Sequence, residues 1–325
     1  MIKSLKTKRS LIQAGCSLCL FIFLKELYSL QQRNVHTIVE EMFPSIEDLN
    51  FTPKEDSIYF HVTSLQGFLK PTEACAVEAA ARAHPNRNVY VLFTSPISQT
   101  DRALKYTMSQ SLKKLRRFRN IKLLRIHLPK YSNGTLVQSL LLNGLKNSSY
   151  PEKHTADILK MLTLNKYGGV ALETNMIVLR SLNDLPQNWI LKRNEKYVAP
   201  GLMGFSKSEF GLNVTSEILK KISETYNSSN YYVTGRAAIE KVVQGICPIK
   251  IRWNSCKEMM IFPAYDFYSV ENILRTPFDK IALSQVSFSF HLKTLTRAES
   301  PFVSESIIRI FCPSIFWEFQ QNLTY

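Results

Sequence analysis

The stretch from Thr155 to Leu182, TADILKMLTLNKYGGVALETNMIVLRSL, constrains the fold more than any other part of the chain. Ile158, Met161, Leu162 and Asn165 recur at helical spacing. They predict a helix over Thr155–Tyr167, with Thr155 as N-cap and Asp157 in the first turn, where a carboxylate suits the helix dipole. Gly168-Gly169 stops that helix. Val170-Ala171-Leu172 then reads as a short buried strand ending in Glu173-Thr174-Asn175. In extended backbone residues 173 and 175 point to the same side. Two oxygen-bearing side chains at the end of an apolar strand suit a hard cation.

The chain around this stretch alternates strands and helices. Ile58–Val62 is a β-branched and aromatic run and reads as a first strand, Val89–Phe93 as a second, buried strand and Ile121–Leu128 as a third. Helices are expected from Pro71 and over Leu104–Arg119. This alternation predicts α/β architecture with a mainly parallel sheet. Such open sheets bind ligands beyond the carboxyl ends of their strands, where His61, Thr63, Ser64, Glu173 and Asn175 fall. Later, helices are expected over Leu212–Tyr226 and from Val233 to Gln244. Met259–Phe262 and Val286–Phe290 read as strands, and Ser306–Phe319 as a closing helix broken by Pro313. No internal repeat or low-complexity segment is present.

The central stretch resembles the α-1,4-glycosyltransferases that build glycolipids with galactose or N-acetylglucosamine. There it runs S-D-x-x-R-x-x-x-L-x-K-Y-G-G-I-Y-L-D-T-D, and the D-x-D holds a divalent metal on the diphosphate of a nucleotide sugar. Ile58–Ser64 resembles the family's first strand, Ala74–Arg82 its first helix and Val89–Phe93 its second strand. Val198–Gly201 and Phe288–Leu292 resemble later blocks, so the likeness covers about residues 56–318. Scaffold positions match better than site positions. Glu173 and Asn175 stand for the two aspartates, Lys160 for the arginine and Ala171 for an aromatic residue. His291 is followed by Leu292, Lys293 and Thr294, where the family has H-x-W-N.

Composition narrows the setting. With 325 residues, 45% of them apolar, the chain has enough material for a substantial core. Its formal charge of +15 suits nucleic acid, a membrane surface or an anionic small substrate. The N-terminus separates these. Met1–Ser10 carries Lys3, Lys6, Lys8 and Arg9 without an acid, and an apolar segment follows. Leu11–Leu24 spans only about 21 Å as a helix, short of a ~30 Å hydrocarbon core. Extension to Leu30 brings it close to a full span, with Lys25 and Glu26 near the far end. A basic flank keeps the N-terminus cytosolic. The rival is a cleaved signal peptide, but no A-x-A-like site follows Leu24. Residues 1–10 are then a cytosolic tail, 11–30 a signal-anchor, 31–55 a stem and 56–325 a lumenal domain, with nucleic acid excluded as a partner.

Two features fit a lumenal domain. Sequons occur at Asn50, Asn133, Asn147, Asn213, Asn227 and Asn322. Cys16 and Cys19 lie in the apolar segment, leaving Cys75, Cys247, Cys256 and Cys312 for an oxidising compartment. Four cysteines permit three pairings; the short Cys247–Cys256 loop is the favoured bridge.

The basic run Lys113, Lys114, Arg116, Arg117, Arg119, Lys122 and Arg125 has two readings. It is a solvated helix face and strand edge, or it attracts anionic headgroups or a diphosphate. No G-x-S-x-G, H-E-x-x-H, P-loop or G-x-G-x-x-G is present, which removes the hydrolase, metalloprotease, P-loop and dinucleotide classes.

The resemblance implies one nucleotide-sugar-binding, Rossmann-like domain of GT-A type behind the membrane anchor, in the Golgi. It implies a retaining transferase moving galactose or an N-acetylhexosamine from a UDP-sugar in α-1,4 linkage to a glycolipid or glycan acceptor. It assigns His61, Thr63, Ser64, Asp157, Lys160 and His291 to the donor and Glu173 and Asn175 to Mn2+ or Mg2+. Asparagine offers only a neutral carbonyl oxygen, so metal binding is expected to be weaker than with two aspartates. The alternative is a weakened or inactive member that binds UDP or acceptor as partner of an active Golgi enzyme.

Overall fold

The computed structural model describes residue 25 and residues 43–64, 67, 69–95, 110–194, 196–247, 255–268, 270–292 and 300–316. The expected tail, the signal-anchor apart from residue 25, Cys16, Cys19, Asn322 and the start of the 104–119 helix lie outside them. Among the described residues no helix is long and apolar enough to cross a membrane.

The strands are β1 (Ile58–Val62), β2 (Val89–Phe93), β3 (Ile121–Arg125), β4 (Gly169–Leu172), β5 (Met176–Val178), β6 (Trp189–Lys192), β7 (Val198–Phe205), β8 (Ser255–Cys256), β9 (Met259–Pro263) and β10 (Ser289–His291). The main sheet has eight of them, in the order β3-β2-β1-β4-β7-β6-β9-β8. β1 runs parallel to both β2 and β4, and β2 parallel to β3. β7 is antiparallel to β4 and to β6. β5 and β10 form a separate antiparallel pair. The mixed α/β class and the parallel half therefore agree with the sequence.

Every position of β1 and β2 is buried, as a sheet covered on both faces requires. The pleat divides the core. Ile58, Phe60 and Val62 join one cluster with helices α1 (Pro71–Ala83) and α5 (Ser300–Phe311). Tyr59 faces the other way, into a cluster with α2 (Pro151–Tyr167), α3 (Glu209–Thr225) and α4 (Arg236–Ile246). Among the described residues each layer holds one disulfide. Cys75 of α1 bridges Cys312 just beyond α5, and the expected Cys247–Cys256 bridge joins the end of α4 to β8. Beside the first bridge the buried Glu78 carboxylate accepts the backbone N–H groups of Ser314 and Ile315 at 3.1 Å each, fixing the segment after α5.

Several boundaries differ from expectation. α2 starts at Pro151, a residue suited to the first helical position, so Thr155 is no N-cap; its hydroxyl donates to the Pro151 carbonyl at 2.7 Å. β3 stops at Arg125, and Leu128 opens a short helix. Val233–Gly235 is a turn before α4, and Val286 ends the Lys280–Val286 helix. α5 starts at Ser300 and ends before Pro313. The folded unit begins earlier than 56: Phe43 and Ile46 are buried, and the Arg125 N–H donates to the Pro44 carbonyl at 2.9 Å. Arg125 leaves the basic cluster, being buried with its guanidinium on the Phe93 and Ile126 carbonyls. Lys113, Arg116, Arg117, Arg119 and Lys122 are exposed. The sequon asparagines at 50, 133, 147, 213 and 227 are exposed as well.

Candidate functional site

β1, β2 and β3 step outward in one direction, and β4 pairs on the other side of β1. The strand order reverses between β1 and β4, and a crevice at such a reversal is where open α/β sheets bind ligands. α2 delivers the chain back to this point. Gly168 and Gly169 adopt φ of 69° and 103°, a region that favours glycine, and turn the helix directly into β4. A side chain at 169 would also strike the Ser57 carbonyl, 2.4 Å from an added Cβ.

Beyond β4, residues 173–175 do not stay extended. The Met176 N–H donates to the Glu173 carbonyl at 3.0 Å, closing a turn. Glu173 and Asn175 therefore share a site through a turn, not through strand alternation. Two cavities meet at them. A lobe of about 230 Å³ at the strand reversal is lined by His61, Thr63, Ser64, Asp157, Lys160, Glu173 and Asn175, among others. A lobe of about 560 Å³, ordinary for a small-ligand site, is lined by Glu173, Asn175, His291, Arg193, Arg236 and Tyr268, among others. Lys153 and Tyr231 line both lobes.

α2 presents Lys153, Asp157 and Lys160 four and three residues apart, on one face. Lys160 is buried; its Nζ donates to the Pro200 carbonyl at 2.7 Å and stands 3.5 Å from Glu173 Oε1 and 3.9 Å from Asp157 Oδ1. His291 Nε2 lies 3.8 Å from Glu173 Oε2. Burial alone would raise the Glu173 carboxyl, but Lys160, His291 and Lys153 together hold it well below the usual carboxylate range. Glu173 is therefore an anion at neutral pH. Asp157 pairs with Lys153 and accepts the Thr234 hydroxyl at 3.1 Å. Gly235 leaves room for it, since an added Cβ there would lie 2.6 Å from Asp157 Oδ2.

The remaining predicted residues divide. His61 is buried, its Nε2 2.7 Å from the Thr163 hydroxyl, which lies 2.7 Å from the Tyr131 hydroxyl. Burial, with Lys160 adding, pushes the imidazole down to about 3, so it is neutral. The Thr63 hydroxyl donates to the Glu152 carbonyl at 2.9 Å, and Ser64 lines the smaller lobe. The Asn175 side-chain oxygen is buried and, among the described residues, has no hydrogen-bond partner, while its backbone carbonyl accepts Leu292 N–H at 3.1 Å.

Sequence reasoning missed Lys153, Arg193, Tyr231, Tyr232, Arg236 and Tyr268. Lys153 carried one signal, its four-residue spacing from Asp157. Burial, with Glu173 adding, pushes the Tyr268 phenol up to about 12. The larger lobe sets three cationic side chains, Lys153, Arg193 and Arg236, against the single carboxylate of Glu173. Such a lining attracts an anionic ligand.

Comparisons with known proteins follow the same lines. The model of the glycosyltransferase sugar-binding region containing the DXD motif matches residues 70–192, which include Glu173-Thr174-Asn175. The model of the alpha 1,4-glycosyltransferase conserved region matches residues 207–318. No curated protein matches the sequence. Among solved structures, the PaToxG glycosyltransferase is similar at 12% identity and a TM-score of 0.47, over 82% of this chain and 88% of its own. The galactosyltransferase LgtC, in complex with donor and acceptor sugar analogs, is similar at 12% identity and a TM-score of 0.41, over 80% and 95%. Mouse xyloside xylosyltransferase 1 is similar at 10% identity and a TM-score of 0.41, over 77% and 100%. The two matched family regions together take in most of the sequence, and the chain belongs to an α-1,4-glycosyltransferase family.

Proposed function

We propose that this chain is a retaining glycosyltransferase that moves galactose or an N-acetylhexosamine from a UDP-sugar, in α-1,4 linkage, to a glycolipid or glycan acceptor. The nucleoside enters the smaller lobe at the strand reversal, and the acceptor approaches through the larger one. The observation that carries this reading is the ionised Glu173 standing where the two lobes meet, beside a net-positive lining.

The residues fit a hard divalent cation. Glu173 supplies an ionised carboxylate, and the buried Asn175 Oδ1, without a hydrogen-bond partner among the described residues, is a second oxygen. Mn2+ or Mg2+ held there would neutralise the diphosphate as it leaves. Lys153, which lines both lobes, adds positive charge for the same diphosphate, preorganised before the reaction. Lys160 holds Glu173 in place, and Asp157 anchors Lys153 against the Thr234 turn. Catalysis then rests on positioning and electrostatics. In this reading residues 11–30 anchor the chain in the Golgi membrane with the domain lumenal.

A second reading is favoured by one observation. Glu173 already faces the Lys160 ammonium and His291 on its two oxygens, which lowers its pull on a metal. The chain would then bind UDP or acceptor without turnover, as partner of an active Golgi enzyme. A UDP-sugar panel with lactosylated and mannosylated lipid acceptors, read by mass spectrometry with and without Mn2+, separates the two. A metal-dependent hexose adduct supports the transferase, and UDP binding without any adduct supports the partner.

A further inference from the structure

We propose that Tyr231 and Tyr232 form a stacking platform for a pyranose ring of the acceptor, at the mouth of the larger lobe. The proposal rests on the assignment of that lobe to the acceptor. Exposed tyrosines standing singly need no explanation. These two are adjacent, line one cavity with Glu173 and His291, and remain 38% and 47% exposed.

They are also held in place. Their rings meet edge to face at 5.1 Å, and Tyr150 meets Tyr231 in the same way at 5.1 Å. The Arg236 guanidinium lies 3.8 Å from the Tyr232 ring centre and 4.6 Å from that of Tyr197. Lys153 Nζ lies 5.3 Å from the Tyr231 ring centre. The backbone beneath is fixed as well. The Tyr232 N–H donates to the Asn230 side chain at 3.0 Å, the Asn230 carbonyl lies 3.1 Å from His154 Nε2, and Ser149 N–H donates to the Ser228 carbonyl at 3.0 Å. Rings that are exposed yet already ordered lose little entropy when a ligand covers them.

The ligand class follows from the surface. Aromatic faces carry partial negative charge and attract the weakly positive C–H groups on one face of a pyranose. A cation lies against each ring, and both rings keep exposed surface for that contact. Around the rings, arginine, lysine and carboxylate groups offer the hydrogen bonds that sugar hydroxyls need.

The test is saturation-transfer NMR on the full chain in detergent, with UDP titrated in parallel by calorimetry. The probes are methyl β-galactoside, lactose, N-acetyllactosamine and methyl α-mannoside. At least one probe is expected to bind with saturation at its C–H face. Tyr231→Ala and Tyr232→Ala are each expected to weaken that binding about tenfold, while Tyr232→Phe changes it little. For Tyr232→Ala, whose ring lines the larger lobe and not the smaller, UDP affinity is expected to stay within about threefold of wild type, and thermal unfolding of each variant checks folding. Absence of binding by every probe, or alanine variants that bind as well as wild type, overturns the proposal. A parallel fall in UDP affinity in Tyr232→Ala also overturns it, since that ring would then hold the nucleoside. Sugar binding through the tyrosines in a chain that binds no UDP would keep the platform and remove the transferase reading instead.

Discussion

Lys160 Nζ stands 3.5 Å from Glu173 Oε1 and donates to the Pro200 carbonyl at 2.7 Å, joining α2, the turn after β4 and β7 through one buried ammonium. Removing that ammonium leaves both the carboxylate and the carbonyl short of a partner. Lys160→Met is expected to destabilise the fold by about 3 kcal/mol, in the range for breaking a buried pair on one side. Lys160→Arg keeps the charge and is expected to lose less. Urea denaturation reads this as a lower midpoint at unchanged slope.

Acid is expected to destabilise the fold through two histidines. Burial pushes His84 down to about 4 and His61 down to about 3, against an ordinary value near 6.5. His84 accepts the Leu182 N–H at 2.8 Å through Nε2, a bond that protonation would remove. Both folded values lie below the unfolded one, so the unfolded chain binds the protons. Their stability is present above pH 6.5 and is lost as pH falls toward 4 and then 3. Each site contributes a slope of up to about 1.4 kcal/mol per pH unit. Denaturation midpoints of wild type and His61→Gln between pH 7 and 4 check it, and the variant should show the shallower decline.

The two disulfides are expected to differ in weight. Cys75 and Cys312 are separated by 237 positions, Cys247 and Cys256 by 9. On the chain-entropy model the long closure is worth about 5 kcal/mol and the short one about 3. Double serine replacements, compared by thermal unfolding, should show the larger loss for the Cys75–Cys312 pair. Non-reducing peptide mapping should recover both bridges.

Much of the scaffold was legible because it is local. β1 and β2 are buried on both faces, so they appear as mostly apolar runs, with His61 the polar position in β1. Gly168-Gly169 marks the helix-to-strand corner because few other residues adopt those φ values. Thr155 misled because a capping residue type also fits inside a helix when its hydroxyl bonds back one turn. Glu173 and Asn175 were found for a reason that does not hold, since a turn and not an extended strand brings them together. Arg193, Tyr231, Tyr232 and Arg236 were invisible. They come from the end of β6, the turn before α4 and α4 itself, and only the packed structure sets them around one cavity. Arg125 looked like one more surface cation until the pairing of residues 44 and 45 with β3 buried it.

The central claim is that Glu173 and Asn175 together hold a cation on a bound diphosphate. Its most direct test is calorimetric titration of UDP in Mn2+ and in chelator, for wild type, Glu173→Ala and Asn175→Asp. Asparagine and aspartate are nearly the same size, so the second change adds a carboxylate at an oxygen that is buried without a partner among the described residues. A unit charge at ~4 Å is worth about 4 kcal/mol at an effective dielectric of 20, and desolvation removes part of it. The expected result is Mn2+-dependent UDP binding about tenfold tighter in Asn175→Asp, about 1.4 kcal/mol, and lost in Glu173→Ala. Manganese-dependent UDP affinities that agree across all three proteins would contradict the claim.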